Sequence, residues 1–139
     1  MRRALSFMAV VLAVAGVGCG PDPVGPEPEE CPTNRVNLTV GTGVQPQFTW
    51  TPRCHLGWLT VQDSSTSSIV WDVTGRGNHL PSGLRYDGTL PTEAVVMQRA
   101  QDLQRGRVYT VLVYRLVCED PERQLLCSLL PASSASFTP

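Results

Sequence analysis

The chain has 139 residues with 12 acidic and 11 basic side chains, so its net charge is −1. From Arg35 onward it carries nine arginines against eight acids, a balance without the overall charge bias that would imply nucleic acid or an acidic substrate. This part spans about 105 residues, enough for one domain and too few for two.

The first 19 residues have the three parts of an export signal. Arg2 and Arg3 precede an apolar run that ends at Val17, and this run is shorter than the about 20 apolar residues of a membrane span. The segment Ala15-Gly16-Val17-Gly18-Cys19 resembles the processing site of bacterial lipoproteins. The resemblance implies that residues 1–18 are a signal peptide and that Cys19 carries a lipid whose acyl chains include palmitate. The alternative is an ordinary secretory signal in which Cys19 is incidental.

The residues after Cys19 are rich in proline and acids. Four prolines and four acids lie between Gly20 and Glu30, and such a composition cannot bury enough apolar surface to offset its ordering entropy. We therefore predict a disordered tether over residues 19–33 that joins the lipid to a domain at residues 34–139. The lipoprotein resemblance implies a location in the bacterial cell envelope, with the outer membrane expected and the side that the domain faces left open.

Short alternating apolar runs, separated by Gly, Pro, Asp and Ser, predict an all-β domain. At one place, Thr92 to Leu103, a helical turn competes with a strand because several residues there favour helix. The seven predicted strands are Asn34 to Val40, Gln47 to Thr51, Leu56 to Gln62, Ile69 to Thr74, Glu93 to Gln98, Arg107 to Val117 and Ala132 to Thr138.

Leu103, Gly106 and Tyr109 stand at three-residue steps before an alternating strand. This pattern resembles the entry to strand F of fibronectin type III and related immunoglobulin-like domains. The segments around Trp50 and Phe137 resemble strand B and the closing strand of the same family. The resemblance implies a seven-stranded antiparallel sandwich in which Gly106 forms a tight turn, while the Tyr109 ring is buried and its hydroxyl reaches back to the preceding backbone.

Four cysteines remain besides Cys19, an even number that favours two disulfides in an exported chain. They are Cys31, Cys54, Cys118 and Cys127. The fibronectin-like topology implies that all four lie at one pole of the domain. Among the three possible connectivities we favour Cys31 with Cys54 and Cys118 with Cys127, since each pair closes a local loop. A four-cysteine zinc site is the alternative, but the paired C-x-x-C steps typical of such sites are absent.

The sequence contains no G-x-S-x-G, H-E-x-x-H, phosphate-binding glycine-loop or calcium-loop motif. His55 and His79 lie in or beside predicted loops, where solvated polar residues are common. We therefore expect a non-enzymatic protein without cofactor or metal. An envelope enzyme is the alternative, and it predicts a pocket that holds His55 or His79 beside an acid.

A binding module for adhesion, assembly or capture of an envelope partner is the function we expect, with the domain itself a monomer. The first candidate contact surface is the F–G loop, with Glu119, Arg123 and Leu125, because rigidly framed loops commonly bind. The alternative is a module for carbohydrate or peptidoglycan in which Trp58 and Trp71 lie together on an exposed sheet face. Either tryptophan could instead belong to the core.

Overall fold

The computed structural model describes Cys31 and residues 35–119 and 127–139. This part is all-β and contains no helix, so it has no helix of the length and hydropathy that crossing a membrane requires. Its eight strands are β1 (Asn37–Val40), β2 (Gln47–Thr51), β3 (Trp58–Asp63), β4 (Ile69–Gly75), β5 (Leu84–Arg85), β6 (Ala94–Gln98), β7 (Tyr109–Cys118) and β8 (Cys127–Phe137).

The strands form two antiparallel sheets, in the orders β1-β2-β5 and β6-β4-β3-β7-β8. The two sheets face each other, since Phe48 of β2 lies 6.1 Å from Trp71 of β4 and 5.9 Å from Phe137 of β8 between ring centroids. Strict alternation places Leu59 and Val61 of β3 fully inside the core. The result is a β-sandwich-like arrangement around one hydrophobic core.

Each of the seven predicted runs contains a strand, but the count of seven is wrong because the described residues form eight. The missed strand, β5, has only two residues and pairs with Gln47 and Phe48 of β2. A strand of two residues is too short to show the alternation of apolar and polar residues by which strands are predicted from sequence. In addition, β1 begins three residues later than predicted, at Asn37, and β8 begins earlier, at Cys127.

The turn before β7 has the features predicted for it. Gly106 has a φ of 80°, a conformation that glycine adopts without steric cost. The Tyr109 ring is 2 % exposed, and its hydroxyl accepts a hydrogen bond of 2.9 Å from the backbone N–H of Gln104. The prediction that this side chain points inward and bonds back to the preceding backbone is therefore confirmed.

The structure contains both favoured disulfides, Cys31–Cys54 and Cys118–Cys127. Trp58 pairs with Tyr114, so the start of β3 and the far end of β7 lie at the same end of the five-stranded sheet. Cys54 precedes β3 by a short loop, and Cys118 ends β7. Both disulfides therefore lie toward one pole of the molecule.

The predicted signal peptide, lipidated Cys19 and all of the tether except Cys31 lie outside the described residues. Cys31 itself is buried and cross-linked to Cys54. The polypeptide therefore enters the folded part at the pole that carries the disulfides.

Candidate binding site

Trp71 is a core residue, so the predicted pair of exposed tryptophans is wrong. Its indole is 2 % exposed and lies against Tyr86, with 5.2 Å between ring centroids. The cause is the register of β3 and β4, in which Trp71 pairs with the buried Val61. Cross-strand partners share a face of the sheet, and Trp58 pairs with Thr74 on the opposite face.

Trp58 does lie on the outer face of the five-stranded sheet, the face turned away from the three-stranded sheet. Its indole is half-buried, and its Nε1 donates a hydrogen bond of 2.5 Å to Oδ1 of Asp72. The same oxygen accepts a bond of 2.6 Å from the hydroxyl of Thr60. The directly opposite residue on β7 is Tyr114, which is also half-buried. Trp58 and Tyr114 are therefore cross-strand neighbours on this face, an arrangement that sequence analysis missed.

A large concavity lies at the disulfide pole, and we call it the braced groove. Its volume is about 1070 Å³. One wall is the loop of residues 76–79 with Glu93 at the start of β6, and the other is the end of β7, residues 115–118, with Cys127 of β8. The groove thus lies beside the start of the F–G loop, which sequence analysis predicted as a contact surface.

The second wall of the braced groove is a hairpin arm that extends past the rest of its sheet. The pairing of β3 with β7 stops at Trp58 and Tyr114, whereas β7 and β8 continue to pair as far as Cys118 and Cys127. The disulfide Cys118–Cys127 links the two strands of this arm at its last rung. A covalent link at this position limits splaying of the two strands.

Asn78 fastens the first wall to the second. Its side-chain amide donates to the carbonyl of Leu116 and its Oδ1 accepts from the N–H of Leu116, both at 2.8 Å. The amide therefore takes the place that a further residue of β3 would have in the ladder. Gly57 permits this approach, because a Cβ there would lie 2.9 Å from both Asn78 Oδ1 and Leu116 Cβ.

The groove carries two guanidinium groups, Arg76 and Arg115, and one carboxylate, Glu93. A carboxylate oxygen of Glu93 lies within hydrogen-bond distance of Nδ1 of His79. In the described part of the chain the Arg76 side chain has no hydrogen bond or ion pair, and the residue is exposed. Among the described lining residues, the one carboxylate thus already has a hydrogen-bond partner, while the charge of Arg76 faces solvent.

Of the residues nominated for contact, Glu119 is exposed directly after β7, one residue beyond the disulfide. Arg123 and Leu125 lie outside the described residues. The loop Arg76–His79 was not singled out as a contact surface, although Gly77, at a φ of 74°, marks it as a turn. Its position across from β7 depends on long-range pairing that no local pattern reveals.

The two histidines have different surroundings. His79 lies beside an acid in a groove, which is the arrangement that the enzyme alternative predicts. The described lining of that groove contains no serine, threonine, lysine or free thiol that could serve as a nucleophile. His55 is half-buried and forms no ion pair among the described residues. The same residues contain no group of three potential metal ligands.

Comparison with known proteins gives no relative: no family model, curated protein or solved structure matches the chain.

Proposed function

We propose that this protein is a lipid-anchored lipoprotein of the bacterial cell envelope whose fibronectin type III-like domain binds a partner at the braced groove. Cys19 carries the lipid, and residues 20–30 are the tether that leads to the buried, cross-linked Cys31. The domain is non-enzymatic, and its partner is an envelope protein. The observation that carries the proposal is the braced groove itself, a large concavity with walls fixed by a disulfide and by the amide of Asn78.

The strand order supports the immunoglobulin-like part of the proposal. Such folds place strands A, B and E in one sheet and C, F and G in the other. Here β1, β2 and β5 share one sheet, while β3, β7 and β8 share the other. The contact of the Tyr109 hydroxyl with the Gln104 N–H is typical of the strand F corner of these domains. The remaining strands of the five-stranded sheet, β4 and the edge strand β6, are additions to these six.

Site-specific photo-crosslinking in intact cells tests partner binding. A photoreactive residue at Arg76 or Glu119 borders the braced groove, whereas one at Val44, which is 43 % exposed near the opposite pole, is the matched control. We expect one discrete adduct from the first two positions and none from Val44. Adducts from all three positions, or from none, would argue against a specific partner at the groove.

The anchor is tested separately with Cys19→Ala. We expect the unchanged chain to incorporate labelled palmitate and to sediment with membranes, since two or more acyl chains anchor a protein firmly. The variant should do neither, because it lacks the thiol that carries the lipid. Export without lipid incorporation by the unchanged chain would instead identify an ordinary secretory signal.

The cross-strand neighbours Trp58 and Tyr114 favour a second candidate function, binding of a glycan such as peptidoglycan on the outer sheet face. Trp58 and Tyr114 lie opposite each other, and Asp72 beside them holds the indole in place. Aromatic rings suit the apolar face of a sugar, and the buried Asp72 carboxylate serves to position the indole. Trp58→Ala should abolish retention on peptidoglycan, with Val96→Ala, an exposed edge position, as the control. Equal retention of both variants would exclude this candidate.

A further inference from the structure

We propose that the ligand of the braced groove is an acidic peptide segment, bound in extended form along the end of β7 with a carboxylate on Arg76. The inference rests on the proposed function, because it names the chemistry of the partner at the same groove. It does not depend on the lipid anchor.

The charges of the groove favour an anionic ligand. Arg76 is the exposed guanidinium of its described lining, and the one carboxylate of that lining, Glu93, lies within hydrogen-bond distance of Nδ1 of His79. Arg76 is exposed and makes no side-chain hydrogen bond or ion pair among the described residues. A guanidinium offers a planar fork of donors that matches a carboxylate in two parallel bonds, and such charge-assisted bonds are about twice as strong as neutral ones.

The backbone of β7 favours a peptide over other anions. Tyr114 accepts a bond from the N–H of Gly57, and Leu116 bonds through both of its backbone groups to Asn78. Alternate residues of a strand direct their backbone groups to the same side. The next residue directed to that side is Cys118, and among the described residues its backbone groups have no hydrogen-bond partner on the side of β7 that faces β3. The main chain of an extended peptide can complete this rung, as in recognition by strand addition.

The walls of the groove are suited to binding a peptide because their backbone is already held in place before the peptide binds. The disulfide Cys118–Cys127 and the paired bonds of Asn78 hold the two walls before any ligand arrives. Leu116 and Val117 add apolar surface between the charged groups. A fixed site avoids the cost of immobilising loops and side chains upon association.

The test uses the full-length protein in detergent and a fluorescein-labelled hexaglutamate peptide as the probe. Arg76→Glu reverses the charge of the groove, and Arg99→Glu makes the same change at an exposed position that follows β6, near the opposite pole. We expect hexaglutamate to bind the unchanged protein, Arg76→Glu to weaken binding about tenfold or more, and Arg99→Glu to change it less than about twofold. Circular dichroism checks that both variants fold.

Three outcomes would overturn the inference: no binding of hexaglutamate, equal weakening by both substitutions, or binding of hexalysine as strong as that of hexaglutamate. A preference for oligogalacturonate over hexaglutamate would overturn it too, because the ligand would then be an acidic saccharide. If hexaglutamate fails to bind while the crosslinks at Arg76 and Glu119 persist, the proposed function stands and only the acidic chemistry of the partner is wrong.

Discussion

The hydroxyl of Tyr109 stabilises the turn before β7 through a single bond. Tyr109→Phe keeps the buried ring but leaves the N–H of Gln104 without its acceptor. Loss of such a bond costs about 1 to 2 kcal/mol. We expect urea denaturation to show a decrease of that size in the free energy of unfolding. Tyr114→Phe, which removes a hydroxyl with no hydrogen bond to the described residues, is the control, and an equal effect of both would contradict the assigned role.

Asp63 organises the turn between β3 and β4 as a carboxylate. The hydroxyl and the N–H of Ser65 donate to Oδ1, and Arg107 pairs with Oδ2 at 2.7 Å. These bonds from Ser65, aided by the positive charge of Arg107 and the N–H of Thr66, hold the pKa of Asp63 below its ordinary 3.8.

The pKa of Asp63 has a consequence for acid stability. A carboxyl whose pKa is lower in the folded state contributes stability that is present above the unfolded pKa and disappears as pH falls through the folded pKa. Asp63→Asn should therefore lower Tm at pH 7, and its deficit relative to the unchanged protein should shrink toward pH 2. Asp102→Asn, at an exposed acid, is the control. A deficit that stays constant with pH would contradict this account.

The two tryptophans show at the residue scale where sequence reasoning stops. Alternation along a strand does not show which face of the sheet Trp58 or Trp71 occupies until the register of β3 and β4 is known. That register pairs Thr60 with Asp72, so position 58 faces out and position 71 faces in. Tyr109, by contrast, was predicted correctly because its partner, Gln104, lies five residues away and the whole contact is local.

Among the elements, the outer part of β7 depends on one side chain. Asn78 is 8 % exposed, and both of its amide atoms are bonded to Leu116. Asn78→Ala leaves two backbone groups without these partners, which costs about 1 to 3 kcal/mol each when such groups stay buried. We expect a loss of about 2 kcal/mol or more in unfolding free energy and faster hydrogen exchange at the Leu116 amide.

Asn37→Ala, at an exposed asparagine of β1, is the matched control for Asn78. It should change the free energy of unfolding by less than about 0.5 kcal/mol. If Asn78→Ala were equally mild, the two walls of the braced groove would be held by something other than this amide.

The edge strand β6 shows why strand and helix compete in a sequence. Met97 and Gln98 favour helix, but Val95 and Val96 are β-branched and restrict it. Pairing with β4 decides the outcome, with a bulge between the partners of Asp72 and Val73. Val95 and Val96 remain 41 and 44 % exposed, so the hydrophobic pattern of this strand does not reflect burial. Hydrophobic periodicity therefore does not distinguish strand from helix in this segment.

At the scale of the whole molecule, seven of the eight strands and both disulfides were predictable from the sequence, whereas the groove was not. Short alternating runs specify strands because one face of each is buried, and cysteines that close local loops are already near each other along the chain. The braced groove instead brings together residues 76–79, Glu93 and the end of β7, which are far apart in sequence. Only the order of strands across the sheet makes them neighbours.

The two disulfides should contribute unequally to the stability of the whole domain. Cys31–Cys54 spans 23 residues and Cys118–Cys127 spans nine, a difference worth about 0.8 kcal/mol in loop-closure entropy. Cys31 and Cys54 are also buried, whereas Cys118 and Cys127 are half-buried at the end of the arm. Cys31→Ala with Cys54→Ala should therefore cost about 3 kcal/mol or more, measured by urea denaturation.

Replacement of Cys118 and Cys127 by alanine should cost less and act mainly on the braced groove. The core strands do not depend on this link, since the pairing of β3 with β7 ends at Tyr114, four residues before Cys118. The expected signature is a modest fall in unfolding free energy together with faster hydrogen exchange confined to residues 115–118. If this pair instead proved the more destabilising of the two, the arm would be part of the folding core and could not serve as a separately braced wall.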